Sequence, residues 1–217
     1  MPTYPIFNNT KNESLVFYSC PKNANTSAKL FFAKHLGIDK NFYFIQDDIP
    51  KYKTEESHKK MQEIKADNDK KNLVNIWPNY QKFSKVDSTY KCCIVRDPVE
   101  RFLSAYKNRI LFHKDKDFFN LSVNSIIKKL LDNNFDNKHF LPQSYFLGLD
   151  LKYYNFVVDI KNISKFVNYV NNFFGKDIGF VKLQTGGNNK KIILTDQQIN
   201  AVKLIYKADF DMISKLN

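Results

Sequence analysis

Two short apolar runs, Leu15 to Cys20 (LVFYSC) and Tyr90 to Val95 (YKCCIV), each lead directly into a turn that opens a helix. A run without hydrophobic alternation is a strand covered on both faces, as in a parallel sheet sandwiched between helices. After the first run comes Pro21, and from Asn25 the segment NTSAKLFFAKHLG sets Ala28, Phe32 and Leu36 on one helical stripe before Gly37, a helix stop. After the second, Asp97 is a natural N-cap and Pro98 a natural first helical residue, so a helix is expected from Pro98 to about Leu111. Phe156 to Ile160, followed by a helix from about Ile163 to Gly175, repeats the unit. Further helices are expected from Ser122 to about Asn133 and, behind the capping box of Thr195 and Gln198, to about Leu216. Phe42 to Ile45 is another strand candidate, and Lys53 to Lys71 reads as an exposed, charged excursion. The pattern predicts a single α/β domain over residues 1–217, with its core at about 15–216 and a central, mainly parallel β-sheet flanked by helices.

The charge is distributed unevenly by type. Lys and Arg number 34 against 22 Asp and Glu, a formal net charge of +12, yet the only arginines are Arg96, Arg101 and Arg109. Random scatter would cluster three residues this tightly roughly once in a hundred chains. Guanidinium grips phosphate and carboxylate bidentately where ammonium acts as a point charge, so this stretch is the first place to look for an anionic ligand. No window approaches 18 uncharged apolar residues and the N-terminus lacks a signal-peptide pattern, so a soluble, cytoplasmic protein without stable membrane insertion is expected. Cys20, Cys92 and Cys93 sit inside apolar runs, odd in number and away from metal-ligand spacings; they read as core thiols, and no metal is expected.

Two segments carry the chemistry. Pro21-Lys22-Asn23-Ala24-Asn25-Thr26-Ser27 lies between a buried strand and a helix start, where backbone N–H groups and the positive end of the helix dipole form an anion site. The Thr26 and Ser27 hydroxyls and the Lys22 ammonium add to it. Glycine is absent and Lys22 stands four residues before Thr26, so this is not a Walker loop; an ordinary turn with a solvated lysine is the plainer alternative. The second segment, Arg96-Asp97-Pro98-Val99-Glu100-Arg101-Phe102-Leu103-Ser104-Ala105-Tyr106, follows another strand, so both segments are expected on one edge of the sheet. Arg96 is placed to fork a phosphate, with the Ser104 hydroxyl two turns along. Arg101 reads as a salt-bridge partner of Asp97, and Arg109 as facing solvent or substrate.

Together, PKNANTS and IVRDPVERFLSAYKNR resemble the two nucleotide-binding signatures of sulfotransferases that use 3′-phosphoadenosine 5′-phosphosulfate (PAPS), in the carbohydrate sulfotransferase branch. His139-Phe140-Leu141-Pro142-Gln143 and Ile205-Tyr206-Lys207-Ala208-Asp209-Phe210 are also similar to that branch, whose members often have Trp where Phe140 stands. The resemblance implies a P-loop-like sulfotransferase fold that uses PAPS as co-substrate and releases adenosine 3′,5′-bisphosphate (PAP) without a metal. It implies that Pro21 to Ser27 wrap the 5′-phosphosulfate, that Lys22 is the catalytic cation on the bridging oxygen, and that Arg96 and Ser104 hold the 3′-phosphate. It further implies a late Gly/Lys-rich loop over the nucleotide, for which Gly186, Gly187, Lys190 and Lys191 are the candidates.

Sulfuryl transfer to a hydroxyl needs a general base. His139, ahead of a Pro-containing loop, is the first choice, against the alternative of a histidine merely packed beside Phe140 and Leu141. His35 reads as a surface or helix-end residue, His58 lies in the charged excursion, and Glu55 and Glu56 are reserves. The expected acceptor is a carbohydrate hydroxyl, with Trp77, Tyr80, Tyr145 and Phe146 available to stack on sugar faces. Two other readings compete. A small-molecule or nucleoside kinase would need a Walker Lys-Ser/Thr pair and a metal-holding Asp, whereas Asp97 is taken as a cap. A basic nucleic-acid-binding domain would fit the charge, but the lysines are spread along the chain and no nucleic-acid partner is expected.

Overall fold

The computed structural model of the chain describes residues 4–37, 80–115, 118, 120–183 and 191–216. The expected strand at Phe42 to Ile45, the charged excursion, His58, Glu55, Glu56 and Trp77 lie outside these residues, as do Gly186, Gly187 and Lys190.

The sheet follows the two apolar runs. Strands β1 (Ile6–Asn8), β2 (Ser14–Tyr18), β3 (Tyr90–Val95) and β4 (Phe156–Asp159) lie side by side in that order. β2 pairs parallel with β3, Leu15 opposite Tyr90, and β3 pairs parallel with β4, Cys92 opposite Phe156. β1 is an antiparallel edge, joined to β2 by a turn in which the Asn9 carboxamide oxygen accepts from the N–H groups of Lys11 and Glu13. Three residues are too few to show a period, so β1 leaves no strand signature in the sequence.

The lack of alternation in β2 and β3 is accounted for by two covered faces. Leu15, Phe17, Cys92 and Ile94 point to one side, packing with Phe31 and Phe32 of α1 (Asn25–His35) and Phe166 and Val170 of α5 (Ile163–Phe174). Val16, Tyr18, Cys93 and Val95 point to the other, against Phe146, Leu147 and Met212. A third apolar cluster joins α2 (Pro98–Tyr106), α3 (Val123–Leu131) and α6 (Asp196–Ile205) through Phe102, Ile126, Phe140 and Val202. The fold is the expected α/β arrangement, a mostly parallel sheet flanked by helices.

Several boundaries differ from expectation for local reasons. The helix begun at Pro98 keeps α geometry only to Tyr106 and widens into a π-helix over Lys107–Phe112, where His113 N–H bonds the Asn108 carbonyl five residues back. The C-terminal helix is interrupted at Tyr206, giving α6 and α7 (Lys207–Ile213); Tyr206 itself is buried, with its hydroxyl donating to the Phe140 carbonyl at 2.8 Å. His35 ends α1 as expected but is buried, between the rings of Phe31 and Phe174.

Candidate functional site

All three parallel strands deliver their carboxyl ends to one cleft of about 710 Å³. Beyond β2, the loop Pro21 to Ala24 and the first turn of α1 supply Lys22, Ala24, Asn25, Thr26 and Ser27 to its wall. Beyond β3 come Arg96 and, one helical turn apart along α2 and its π extension, Glu100, Ser104 and Asn108; Ile160 and Lys161 follow β4. The wider π turn also brings Arg109 to the wall.

The loop after β2 is held in an uncommon shape. Lys22 and Ala24 both have left-handed backbones, with φ of +71° and +55°, a conformation that costs a non-glycine residue about 1–2 kcal/mol and persists where surrounding bonds enforce it. Here the Pro21 carbonyl accepts from Arg101 Nε at 2.9 Å, and the Lys22 carbonyl accepts from Arg96 Nη1 at 3.1 Å. The Asn23 carboxamide donates to the Ile94 carbonyl and to Gln143 Oε1 at 2.8 and 2.7 Å. Pro21 and Asn23 therefore face the protein interior and shape the loop, while Lys22, Ala24, Asn25, Thr26 and Ser27 face the cleft. Helix α1 starts at Ala24 with no side-chain cap, in contrast to Asp97, Ser122 and Thr195, which cap their own helices. Left-handed Ala24 followed by helical Asn25 is a backbone geometry that gathers N–H groups around an anion.

The three arginines do three different things. Arg96 is partly buried at the end of β3; its Nε is buried and makes no hydrogen bond to a described residue, although Glu100 stands 3.8 Å away. Arg101 is 1% exposed and spans the Pro21 and His139 carbonyls. It does not pair with Asp97, whose carboxylate accepts from Glu100 N–H as the α2 cap. Arg109 forms a two-bond fork with Asp115 at 2.6 Å per contact.

Burial among these cations sets the protonation of the cleft. Burial, then the charges of Arg109, Arg96 and Arg101, bring the Lys22 ammonium down to about 7. Burial, then Arg109, Lys22, Arg101 and His113, bring His139 down to about 3, so its imidazole is neutral at physiological pH. His113, lowered to about 4 chiefly by burial, lines the same wall. The Ser27 hydroxyl accepts from Leu183 N–H at 2.8 Å, bringing the segment that carries Lys182 to the cleft. Ser104 lines the same cleft as Arg96. Lys191 is exposed and is not part of that wall. Tyr80 lines the cleft and accepts from Asn25 Nδ2; Tyr145 sits at a separate surface hollow, and Phe146 is in the core.

A buried hub supports the cleft from behind. Gln143 is fully buried: its Oε1 accepts from Arg96 N–H at 3.0 Å and its Nε2 donates to the Arg96 carbonyl at 2.7 Å, pinning the end of β3. Gln143 begins the short helix α4 (Gln143–Leu147), whose first N–H groups, those of Gln143 and Ser144, donate to the two carboxylate oxygens of Asp209 at 2.7 and 2.8 Å. Among the described residues no group of three or more His, Cys, Asp or Glu side chains is placed to hold a metal ion, and no helix is long and apolar enough to cross a membrane.

The cleft is thus a pocket lined by basic side chains at the carboxyl ends of parallel strands, where open α/β sheets bind their ligands. A family model described as the sulfotransferase family matches residues 6–213, and the chain belongs to that family, whose reaction is sulfuryl transfer. No curated protein and no solved structure matches the chain.

Proposed function

We propose that the protein is a PAPS-dependent sulfotransferase that acts on a carbohydrate hydroxyl without a metal. The observation that carries this reading is the convergence of Lys22 and the uncapped start of α1 with Arg96 and Ser104 on one cleft. That gives two anion-binding groups, one after each of two adjacent parallel strands, as a nucleotide with phosphates at both its 5′ and 3′ positions requires. The buried Arg96 Nε and the buried Asn25 Oδ1, neither hydrogen bonded to a described residue, are polar atoms of the kind a ligand satisfies. The volume falls within the ~300–1,000 Å³ common for small-molecule sites.

In the reaction, the bond between sulfur and the bridging phosphate oxygen breaks as the acceptor oxygen attacks sulfur, and PAP leaves. Positioning and charge neutralisation dominate such a transfer. Lys22 supplies a cation to the departing phosphate, and Arg96 with Ser104 fixes the nucleotide by its 3′-phosphate. His139 takes the acceptor proton. Its basicity is suppressed after burial chiefly by Arg109 and Lys22, and phosphate charge arriving beside them restores part of it. Lys22, Arg96, Arg109, Lys161 and Lys182 line the cleft with Glu100 as the carboxylate among them, and this excess of basic groups favours acidic glycans.

The test is transfer of labelled sulfate from PAPS to a panel of neutral and acidic oligosaccharides, with EDTA as a second arm. PAPS-dependent transfer at a rate unchanged by EDTA is expected. ATP-dependent phosphorylation of the same acceptors would overturn the reading in favour of a kinase.

A further inference from the structure

The wall that carries His139 contains a chain of hydrogen bonds with a defined direction. Asn137 Oδ1 accepts from His139 N–H at 3.0 Å and lies 2.9 Å from His139 Nδ1. The other end of the carboxamide is also fixed, because Asn137 Nδ2 donates to Asp115 Oδ2 at 2.8 Å. Asp115 in turn is held by the Arg109 fork at 2.6 Å. A carboxylate only accepts, so it must face the NH₂ end of Asn137, which leaves the carbonyl oxygen facing His139. A carbonyl oxygen cannot donate, so the neutral imidazole carries its hydrogen on Nδ1 and its lone pair on Nε2. Nε2 makes no hydrogen bond to a described residue, and His139 lines the cleft.

We infer that Asn137, oriented by Asp115 and Arg109, is a positioning residue that selects the Nδ1–H tautomer of His139 and so presents the Nε2 lone pair to the acceptor hydroxyl. The consequence for transfer rests on His139 being the base; the tautomer itself does not. The pattern answers a specific problem of this cleft. A carboxylate directly on Nδ1 would orient the ring but raise its basicity and favour the imidazolium, which cannot accept a proton. A neutral carboxamide orients the ring without that penalty, and Asp115 spends its charge on Arg109. Lys22, Arg101 and His113 also face His139 and act against its protonation, and the Tyr80 ring meets the imidazole edge-on with centroids 6.0 Å apart.

Two readouts test this in the full chain. Long-range ¹H–¹⁵N correlation spectra of the ligand-free protein at pH 7.5 are expected to give His139 an N–H-type Nδ1 and a lone-pair-type Nε2. In Asn137→Ala the Nε2–H form, intrinsically preferred by free imidazole side chains, is expected to take over, with kcat reduced by about 10–100-fold and KM for PAPS changed less than about threefold. Asn137→Asp keeps an acceptor on Nδ1 and is expected to restore the tautomer while shifting the rise of kcat to higher pH, a signature that mere loss of folding does not produce. An Nε2–H tautomer in the wild type, or an unchanged tautomer in Asn137→Ala, overturns the inference. If the tautomers behave as expected but His139→Ala transfers sulfate at the wild-type rate, the base assignment falls and the positioning of the ring stands.

Discussion

Replacing Lys22 with alanine is expected to lower turnover by about 10³-fold while weakening PAP binding by less than about tenfold. The asymmetry follows from where the ammonium acts. On the proposed assignment the 5′-phosphate is also served in the ground state by backbone N–H groups at the start of α1, and the 3′-phosphate by Arg96, so one cation is a minor share of affinity. In the transition state the sulfur–oxygen bond is breaking and charge accumulates on the bridging oxygen, which the Lys22 ammonium is assigned to meet. A factor of 10³ corresponds to about 4 kcal/mol.

The depressed Lys22 value adds a pH signature with a definite sign. In the folded, ligand-free protein the group titrates near 7, below its usual range, so the charged form is disfavoured and its cost to stability is fully present below about pH 7. That cost is relieved as the pH rises from about 7 towards the unfolded value near 10.5. Removal of the ammonium is therefore expected to leave the ligand-free fold as stable or more stable at pH 6–7. A bound phosphate reverses the preference, so binding at pH 8 takes up a proton, measurable by calorimetry in buffers of different ionisation enthalpy. Lys22→Ala should show no such uptake. An enzyme that turns over normally without Lys22 removes that residue from the mechanism.

The second large effect is on the hub. Asp209→Ala is expected to lower stability by about 3 kcal/mol, or on the order of 6–12 °C in Tm. The carboxylate is fully buried and receives the two first N–H groups of α4, and alanine leaves both donors unsatisfied. The damage should spread to the cleft, because the Gln143 side chain at the same helix start clamps both backbone groups of Arg96 and the Asn23 carboxamide. PAP affinity should therefore fall well below the melting range, although Asp209 does not line the cleft. A Tm within about 2 °C of wild type, with PAP binding intact, would show that the hub is dispensable.

Much of the fold was legible because it is local. Continuous apolar runs mark β2 and β3 as strands covered on both faces, and Asp97-Pro98, Ser122 and the Thr195/Gln198 box mark helix starts that the caps occupy in space. The break at Tyr206 was not legible, and the bond that anchors this residue, to the Phe140 carbonyl, is made far away in sequence. The same distinction holds in the cleft. Lys22, Arg96 and Ser104 could be singled out from position after a strand, and they share a wall. Pro21 and Asn23 belong to the same loop, but their inward orientation depends on Arg101, Ile94 and Gln143, which are far away in sequence. Gln143 and Asp209 stood inside the motifs HFLPQ and IYKADF, so their importance was signalled while their work, clamping Arg96 and capping α4, was not. Asn137 and Asp115 carried no signal, since an Asn two residues before a His has no meaning until the Arg109 fork fixes its orientation.

The central claim is that the cleft reads a nucleotide by its 3′-phosphate through Arg96. It is tested most directly by titrating PAP and 5′-AMP into the wild type and Arg96→Ala. The wild type is expected to prefer PAP by about 100-fold or more, and Arg96→Ala to lose about 10–100-fold of that preference through weaker PAP binding, with 5′-AMP binding little changed. A wild type indifferent to the 3′-phosphate, or an Arg96→Ala variant with the preference intact, would contradict it.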